Sequence, residues 1–478
     1  MKLRHAILPL ALALSLPAVA DAARGFSVRD MAYLDRHSAP TLSPDGRVLV
    51  FAKRVVDKDT NKSGTSLWIR NLATRDMRPP QRLTPDGWNV NSPAFSADGK
   101  SVHFLSAKSG SMQLYSIPVA GGEPKRLTDT VLDVDGYKLS PDGTQVALAF
   151  AVFPECKADL DCTKKKLDAA EAAKATGTVF DRMFIRHWDA WNDGRLNRVF
   201  AAKLGGDGML KAATLLSGGI AGDIPSKPFG DLSDFAWSAD GKQVAMSVRQ
   251  ANREEPWNTN FDIWLVNADG TGARNLTAGN PAWDAGPVFS TDGKTLYYRA
   301  MKRPGFEADR FALMAMALGS GKAREIAPAW DRSADGITLS ADGRAIYTTA
   351  ADLGQHPLFA VDIASGTASK VIGGGSISSF DIAGGTLAFS RNSLKSGDVI
   401  ATTSVDGKAP VRAITPSAGE MLPEVAWGAY EQFNFTGWNN ETVHGYVVKP
   451  WNYQPGRKYP VAFLIHGGPQ GSFGDGWS

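Results

Sequence analysis

The stretch Tyr459-Pro460-Val461-Ala462-Phe463-Leu464-Ile465 runs directly into His466-Gly467-Gly468-Pro469. An apolar run without a polar face belongs in a sheet covered on both sides. Glycines just beyond such a strand leave backbone N–H groups unshielded, so Gly467 and Gly468 are candidate donors to an oxyanion growing on a carbonyl under attack. The same tripeptide also fits a strand that merely ends in a turn. A second candidate is the carboxylate pair Glu254-Glu255, set between two strand-like stretches; a two-carboxylate loop is ordinarily solvated. A third is the polar aromatic cluster Arg186, His187, Trp188 and Asp189, suited to substrate contact or equally to packing and ion pairing between structural units.

Two further features concern cross-linking and metals. Cys156 and Cys162 are the only cysteines and lie six positions apart. An exported compartment would permit a disulfide, and closing so short a loop would contribute roughly 2 kcal/mol. A metal is the weaker reading, because no histidine lies near and two thiolates leave a tetrahedral shell unfilled. His37, His103, His187, His356 and His444 are scattered without ligand spacing, and Gly319-Ser320-Gly321-Lys322 lacks the flanking residues of a phosphate loop. No cofactor or metal is expected.

The elements that must hold these residues follow from a repeat. Ser-x-Asp-Gly occurs at Ser43–Gly46, Ser96–Gly99, Ser140–Gly143, Ser238–Gly241, Ser290–Gly293 and Ser340–Gly343. Each has the chemistry of a reversal: the Ser and Asp side chains bond nearby amides and the glycine takes a left-handed conformation. A strand-like stretch follows each turn, from Val48, Val102, Val146, Val244, Leu296 and Ala345. The glycines are spaced by 53, 44, 98, 52 and 50 residues. Periods of about 40 to 50 residues, with four strands each, are those of propeller blades. A degenerate seventh copy is Ala383-Gly384-Gly385-Thr386. The 98-residue step is read as one blade carrying an insertion, about 151–180, that holds the cysteine loop and a helix over Thr163–Ala175. Arg182–Trp191 and Asn197–Ala201 are taken as the missing blade strands. Ser27 and Asp30 form a helix-start pattern ahead of the first blade.

Composition agrees with this architecture. Lys+Arg 52 against Asp+Glu 49 leaves a formal charge of +3, which excludes a dedicated nucleic-acid binder. A chain 43% hydrophobic and 21% charged is globular rather than disordered. Gly 49 and Pro 27 favour many tight turns, and 13 Trp, 22 Phe and 10 Tyr suit β-packing. Residues 1–22 combine Lys2 and Arg4, an apolar core from Ala6 to Leu16 and small residues to Ala22. That is a secretory signal, with cleavage expected after Ala20 or Ala22 and a periplasmic or secreted product. No later run is long enough to span a membrane.

The combination of an exported Ser-x-Asp-Gly propeller with Gly445-Tyr446-Val447-Val448-Lys449-Pro450 and His466-Gly467-Gly468-Pro469-Gln470-Gly471 resembles the prolyl oligopeptidase family of serine peptidases. The likeness is to the branch holding dipeptidyl and acylaminoacyl peptidases, and covers essentially the whole mature chain. It implies a seven-bladed β-propeller over 23–424 and the first strands of an incomplete α/β-hydrolase domain over 425–478, with oligopeptides cut through an acyl-enzyme in the cavity between. It also implies that Gly467 and Gly468 supply oxyanion donors. By the same likeness, acidic side chains hold a free substrate ammonium, a role for Glu254 and Glu255; Arg186 and Asp189 remain candidates for substrate contact on their own chemistry. The chain departs from the pattern in one respect. No Gly-x-Ser-x-Gly nucleophile elbow occurs, Gly374-Gly375-Ser376-Ile377-Ser378 failing at the last position, and His466 precedes any nucleophile. The chain is therefore read as the amino-terminal portion of a longer peptidase, inactive alone. The alternative reading is a non-catalytic periplasmic propeller that binds partners.

Overall fold

A computed structural model of the chain describes residues 23–73, 78–181, 183–204, 210, 213–228, 230–250, 253–468 and 471–477. Residues 1–22, expected to be a secretory signal, and Arg182, Pro469 and Gln470 lie outside the described residues. Seven antiparallel sheets follow one another along the chain, six of four strands and one of five. Blade 1 runs from Arg36–Leu42 to Gln81–Arg82, and blade 7 from Ser376–Ala383 to Arg412–Ala413. In blade 4 the innermost position is shared by Gly222–Asp223 and Phe235–Trp237, both paired with Gln243–Gln250.

The repeat works as its chemistry requires. In blades 1 to 6 the Ser hydroxyl donates to the Asp carboxylate at 2.6–2.7 Å. That Ser oxygen also accepts the amide five residues on, Val48 in blade 1 at 2.9 Å, and the turn glycines have φ of 66–70°. Each turn joins the first and second strands of its blade. The connections between second and third strands, and those from blade to blade, therefore emerge together on the opposite face.

Seven hydrophobic clusters fill the seven seams between neighbouring blades, including the seam between blade 7 and blade 1. That last seam buries Leu42, Leu49 and Phe51 against Ala388 and Ile400. Complete burial of one such side chain contributes about 1.5–3 kcal/mol. Among the described residues no strand is exchanged to close the ring. Instead the Asp381 carboxylate accepts the Leu42 amide at 2.8 Å and the Thr386 hydroxyl donates to the Gly46 carbonyl at 3.1 Å. Outside the blades, Arg24–Gly25 pairs in parallel with Val425–Ala426. Arg24 reaches Asp30 at 2.6 Å and Glu424 at 2.7 Å, so the two ends of the ring are tied together. Ser27 caps the helix Val28–Tyr33 in a complete capping box.

Three expectations are corrected. Within the insertion the helix is Leu160–Glu171, three residues earlier than its composition suggested, because the Asp159 carboxylate accepts the Cys162 amide at 2.9 Å and sets the start. The segment Arg182–Trp191 supplies no blade strand among its described residues. The partner edge of Gln145–Val152 is filled from end to end by Leu196–Lys203, so Arg186–His187 and Ala190–Trp191 pair only with each other. Finally, the apolar run before His466 forms no strand. Phe463, Leu464 and Ile465 are 76–80% exposed, because no described strand or helix lies alongside to supply hydrogen bonds or cover.

After Val425 the chain crosses the face that carries the blade-to-blade connections. Tyr430–Thr436 and Thr442–Val448 form a hairpin in full register. Tyr446 Oη donates to the Gly354 carbonyl at 3.3 Å and Gln432 Nε2 to the Leu353 carbonyl at 2.6 Å, both in blade 6. Further on, Trp477 packs on Phe26 and Trp427, with ring centroids 5.4 and 6.0 Å away.

Candidate functional site on the connection face

The candidate residues of blades 3 and 4 lie on the connection face, because each follows a second strand of its blade. Cys156 and Cys162 are joined by a disulfide at the base of the insertion in blade 3. The insertion ends in the hairpin Arg186–His187/Ala190–Trp191. Arg186 turns back on its own hairpin, its Nη1 donating to the Trp188 carbonyl. Asp189 is exposed at the tip.

Glu254 and Glu255 lie in the corresponding connection of blade 4, at a single 3-10 turn, Glu255–Trp257. Proline 256 favours that turn by fixing φ and needing no hydrogen bond at its nitrogen. Glu254 is exposed and Glu255 partly buried. The residue that joins these two regions is Arg249, near the end of Gln243–Gln250. Its side chain is only 10% exposed, and its Nε lies 3.6 Å from Glu255 Oε1. The guanidinium sits 5.1 Å from the Phe184 ring of the insertion and 5.9 Å from the Phe261 ring of blade 4. The blade 3 insertion and Glu255 of blade 4 are thus brought together through one cation between two rings.

Behind this lies an aromatic and acidic floor. Phe261 stacks on Trp283 at 4.3 Å, and Trp283 meets Phe311 edge-on at 5.5 Å. Asp284 is buried beside it, accepting from Asn280 Nδ2 at 2.9 Å, and burial pushes its carboxyl up to about 7. In front, Trp188, Trp191 and Trp257 are 69%, 69% and 74% exposed, large apolar faces turned to the solvent above the site.

Gly467 and Gly468 lie apart from this group, exposed, and no described residue accepts their amides. Gly468 has φ 140°, a value that favours glycine. The His466 ring is 6.2 Å from Phe473, edge to face. Their position relative to the propeller is set downstream, where the Asp475 amide donates to the Gly354 carbonyl at 2.7 Å.

Sequence reasoning missed Arg249, Phe261 and Asp475. Arg249 carried one available signal: it is the one charged residue in the strand that leads to the glutamate pair. Asp475 carried none, since its partners Tyr430, Leu394 and Gly354 lie far away in the sequence.

No family model matches the chain. Among curated proteins it is 28% identical to dipeptidyl-peptidase 5 of Porphyromonas gingivalis, over 93% of this chain and 64% of that protein. It is 30% identical to probable dipeptidyl-peptidase 5 of Arthroderma benhamiae, over 96% of this chain and 66% of the relative. The chain therefore spans about two thirds or slightly less of these relatives' length. Among solved structures, an acylaminoacyl peptidase in complex with Z-Gly-Gly-Phe-chloromethyl ketone superposes with a TM-score of 0.72 at 15% identity, over 93% of this chain and 62% of that one. The propeller domain of the trilobed protease from Pyrococcus furiosus, described as having an open velcro topology, gives 0.54 at 13% identity over 80% and 98%. With seven blades, the hairpin beyond them and relatives of this kind along nearly its whole length, the chain belongs to the prolyl oligopeptidase family of peptidases.

Proposed function

We propose that this chain is the propeller and the opening of the hydrolase module of an exported serine-type peptidase. In this reading it acts on short oligopeptides and releases dipeptides or acylated residues through an acyl-enzyme. The observation that carries the reading is the gathering of Arg249, Glu255 and the insertion hairpin on the face from which the post-propeller segment rises. Similarity to dipeptidyl-peptidase 5 over 93–97% of the chain supports it.

Glu254 and Glu255 hold the substrate's protonated amino terminus. An ammonium drawn out of water needs charged acceptors, and two carboxylates supply them. Arg249 neutralises part of the Glu255 charge and fixes its side chain. Gly467 and Gly468 present N–H groups to the carbonyl oxygen as it gains charge. The Ser, Asp and His of the triad belong to the remainder of the hydrolase module, since no nucleophile elbow occurs within these 478 residues. The propeller restricts access to short, unfolded chains.

The test is a paired assay of the complete gene product on free-amino and N-acetylated dipeptidyl nitroanilides. Glu254→Gln and Glu255→Gln should raise KM for the free-amino substrate about tenfold or more, with little change for the acetylated one; tenfold corresponds to 1.4 kcal/mol. Equal effects on both substrates would remove the glutamates from the site. No inhibition by a serine-directed fluorophosphonate would remove the serine mechanism.

A further inference from the structure

A second concave site opens on the same face, one blade away from the glutamates. It is a cavity of about 550 Å³ between blades 2 and 3, within the size range of small-ligand pockets. Its charged lining is mixed: Asp133 and Asp135 come from the connection between the two blades, Lys164 from the insertion helix, Arg195 from the edge of blade 3, and Lys227 from the blade 4 segment between Gly222–Asp223 and Phe235–Trp237. Leu132 and Leu167 add an apolar wall.

These groups are held in place. Asp133 Oδ1 accepts the Met112 amide at 2.6 Å. The Asp223 carboxylate, 6% exposed, accepts the Asn197 amide at 2.5 Å through one oxygen and the Lys227 amide at 2.6 Å through the other. It thereby fixes two lining residues at once. Lys227 Nζ donates to the Arg195 carbonyl at 3.0 Å and makes no ion pair with a described carboxylate. Arg195 Nε is taken by Asp193 at 2.6 Å. Asn197, only 9% exposed, donates through Nδ2 to the Pro225 carbonyl at 2.7 Å and leaves Oδ1 buried without a donor. A buried acceptor of this kind costs about 1–3 kcal/mol unless something donates to it.

We propose that this cavity binds the zwitterion of a short free peptide. Its ammonium would be held by Asp133 and Asp135, its carboxylate by Lys227 and Arg195, and one peptide N–H would satisfy Asn197. The charge pattern selects against other classes. A polyanion such as a nucleotide would meet two carboxylates, and a metal ion would meet too few ligands, since no group of three His, Cys, Asp or Glu suited to a metal occurs among the described residues. A side chain of the peptide finds cover on Leu132 and Leu167. That the zwitterion is a peptide rests on the peptidase reading above, in which dipeptides are released; the pattern of charges does not.

The inference is tested on the chain itself by calorimetric titration with Gly-Leu, N-acetyl-Gly-Leu and Gly-Leu-amide. The free dipeptide should bind, and each capped form should bind about tenfold more weakly, as loss of one charge-assisted contact requires. Lys227→Met should abolish the difference between acid and amide, and Asp135→Asn should narrow that between free and acetylated amine. Equal binding of all three peptides, no heat for any of them, or unchanged discrimination in both variants would overturn the proposal. None of those results bears on cleavage, which depends on other residues. Loss of the glutamate effect in the paired assay would in turn leave binding at this cavity untouched.

Discussion

The Asp475 carboxylate accepts the Tyr430 hydroxyl at 3.0 Å through one oxygen and the Leu394 amide at 2.9 Å through the other. Tyr430 belongs to the hairpin beyond the ring and Leu394 to blade 7. With its own amide on Gly354 of blade 6, one 6%-exposed aspartate joins three parts of the chain. Two residues later the Trp477 amide donates to Asn392 Oδ1 at 2.9 Å. The exposed stretch carrying Gly467 and Gly468 therefore runs between two fixed points, the hairpin and this joint.

Replacing that carboxylate should free the stretch without opening the ring. Hydrogen bonds to a charged group contribute about 1.5–3 kcal/mol each. Asp475→Ala should therefore speed limited proteolysis between residues 449 and 473 several-fold while the main melting transition moves little. A wild-type cleavage pattern would show that the joint holds nothing.

The ring seam gives a sharper expectation. Gly384 has φ 54°, and a Cβ there would stand 2.0 Å from the Asp45 carbonyl oxygen across the seam. Its neighbour Gly385 has φ 80° with open space around it. Gly384→Ala should cost about 2 kcal/mol or more in urea unfolding, combining left-handed strain with the clash. Gly385→Ala should cost about 1–2 kcal/mol, the strain alone. Equal losses would mean that the two turns do not press together.

Removing the cation at the glutamate site should leave Glu255 and two aromatic rings without their common partner. Arg249→Met is expected to destabilise by about 2 kcal/mol. That is below the range for a wholly buried pair, because Glu255 keeps 21% of its side chain exposed. Arg249→Lys should restore little, since an ammonium cannot lie flat between two rings. Full recovery by lysine would reduce the role to charge alone.

A pH dependence follows from His356, whose Nε2 lies 2.6 Å from Asp335 and whose Nδ1 is 2.9 Å from the Ile377 carbonyl. The hydrogen bond to Asp335 raises the imidazole above its ordinary 6.5. A raised folded-state value means that the contribution is complete below the unfolded value and is lost as pH rises through the folded one. Asp234 and Asp284, both pushed up to about 7 by burial, act in the same direction. The informative quantity is accordingly the difference between wild type and His356→Gln. It should be largest near about pH 6 and shrink by about pH 8. A constant difference across that window would refute the assignment.

How much was legible depended on the range of the interactions. The Ser-x-Asp-Gly turns could be read because their bonds close within five residues, and each turn fixes where two strands begin. The seven-fold count followed, since a repeated turn with strand-like flanks leaves little freedom in the unit it builds. Arg182–Trp191 was misread for the complementary reason. Its residues have strand-like character, yet a blade has one free edge at that position, and Leu196–Lys203 occupies it. The run before His466 also has strand composition. Composition alone cannot provide a neighbouring strand.

The sequence by itself determined the blades and the insertion, because local turn chemistry and apolar pattern are written in consecutive residues. Only the tertiary structure decided that Arg249 sits between the insertion and Glu255, that Asp475 ties the hairpin to blades 6 and 7, and that a charged cavity lies between blades 2 and 3. Those arrangements depend on which loops share a face once the ring closes. Closure is a property of seven packed seams together, and no single segment encodes it.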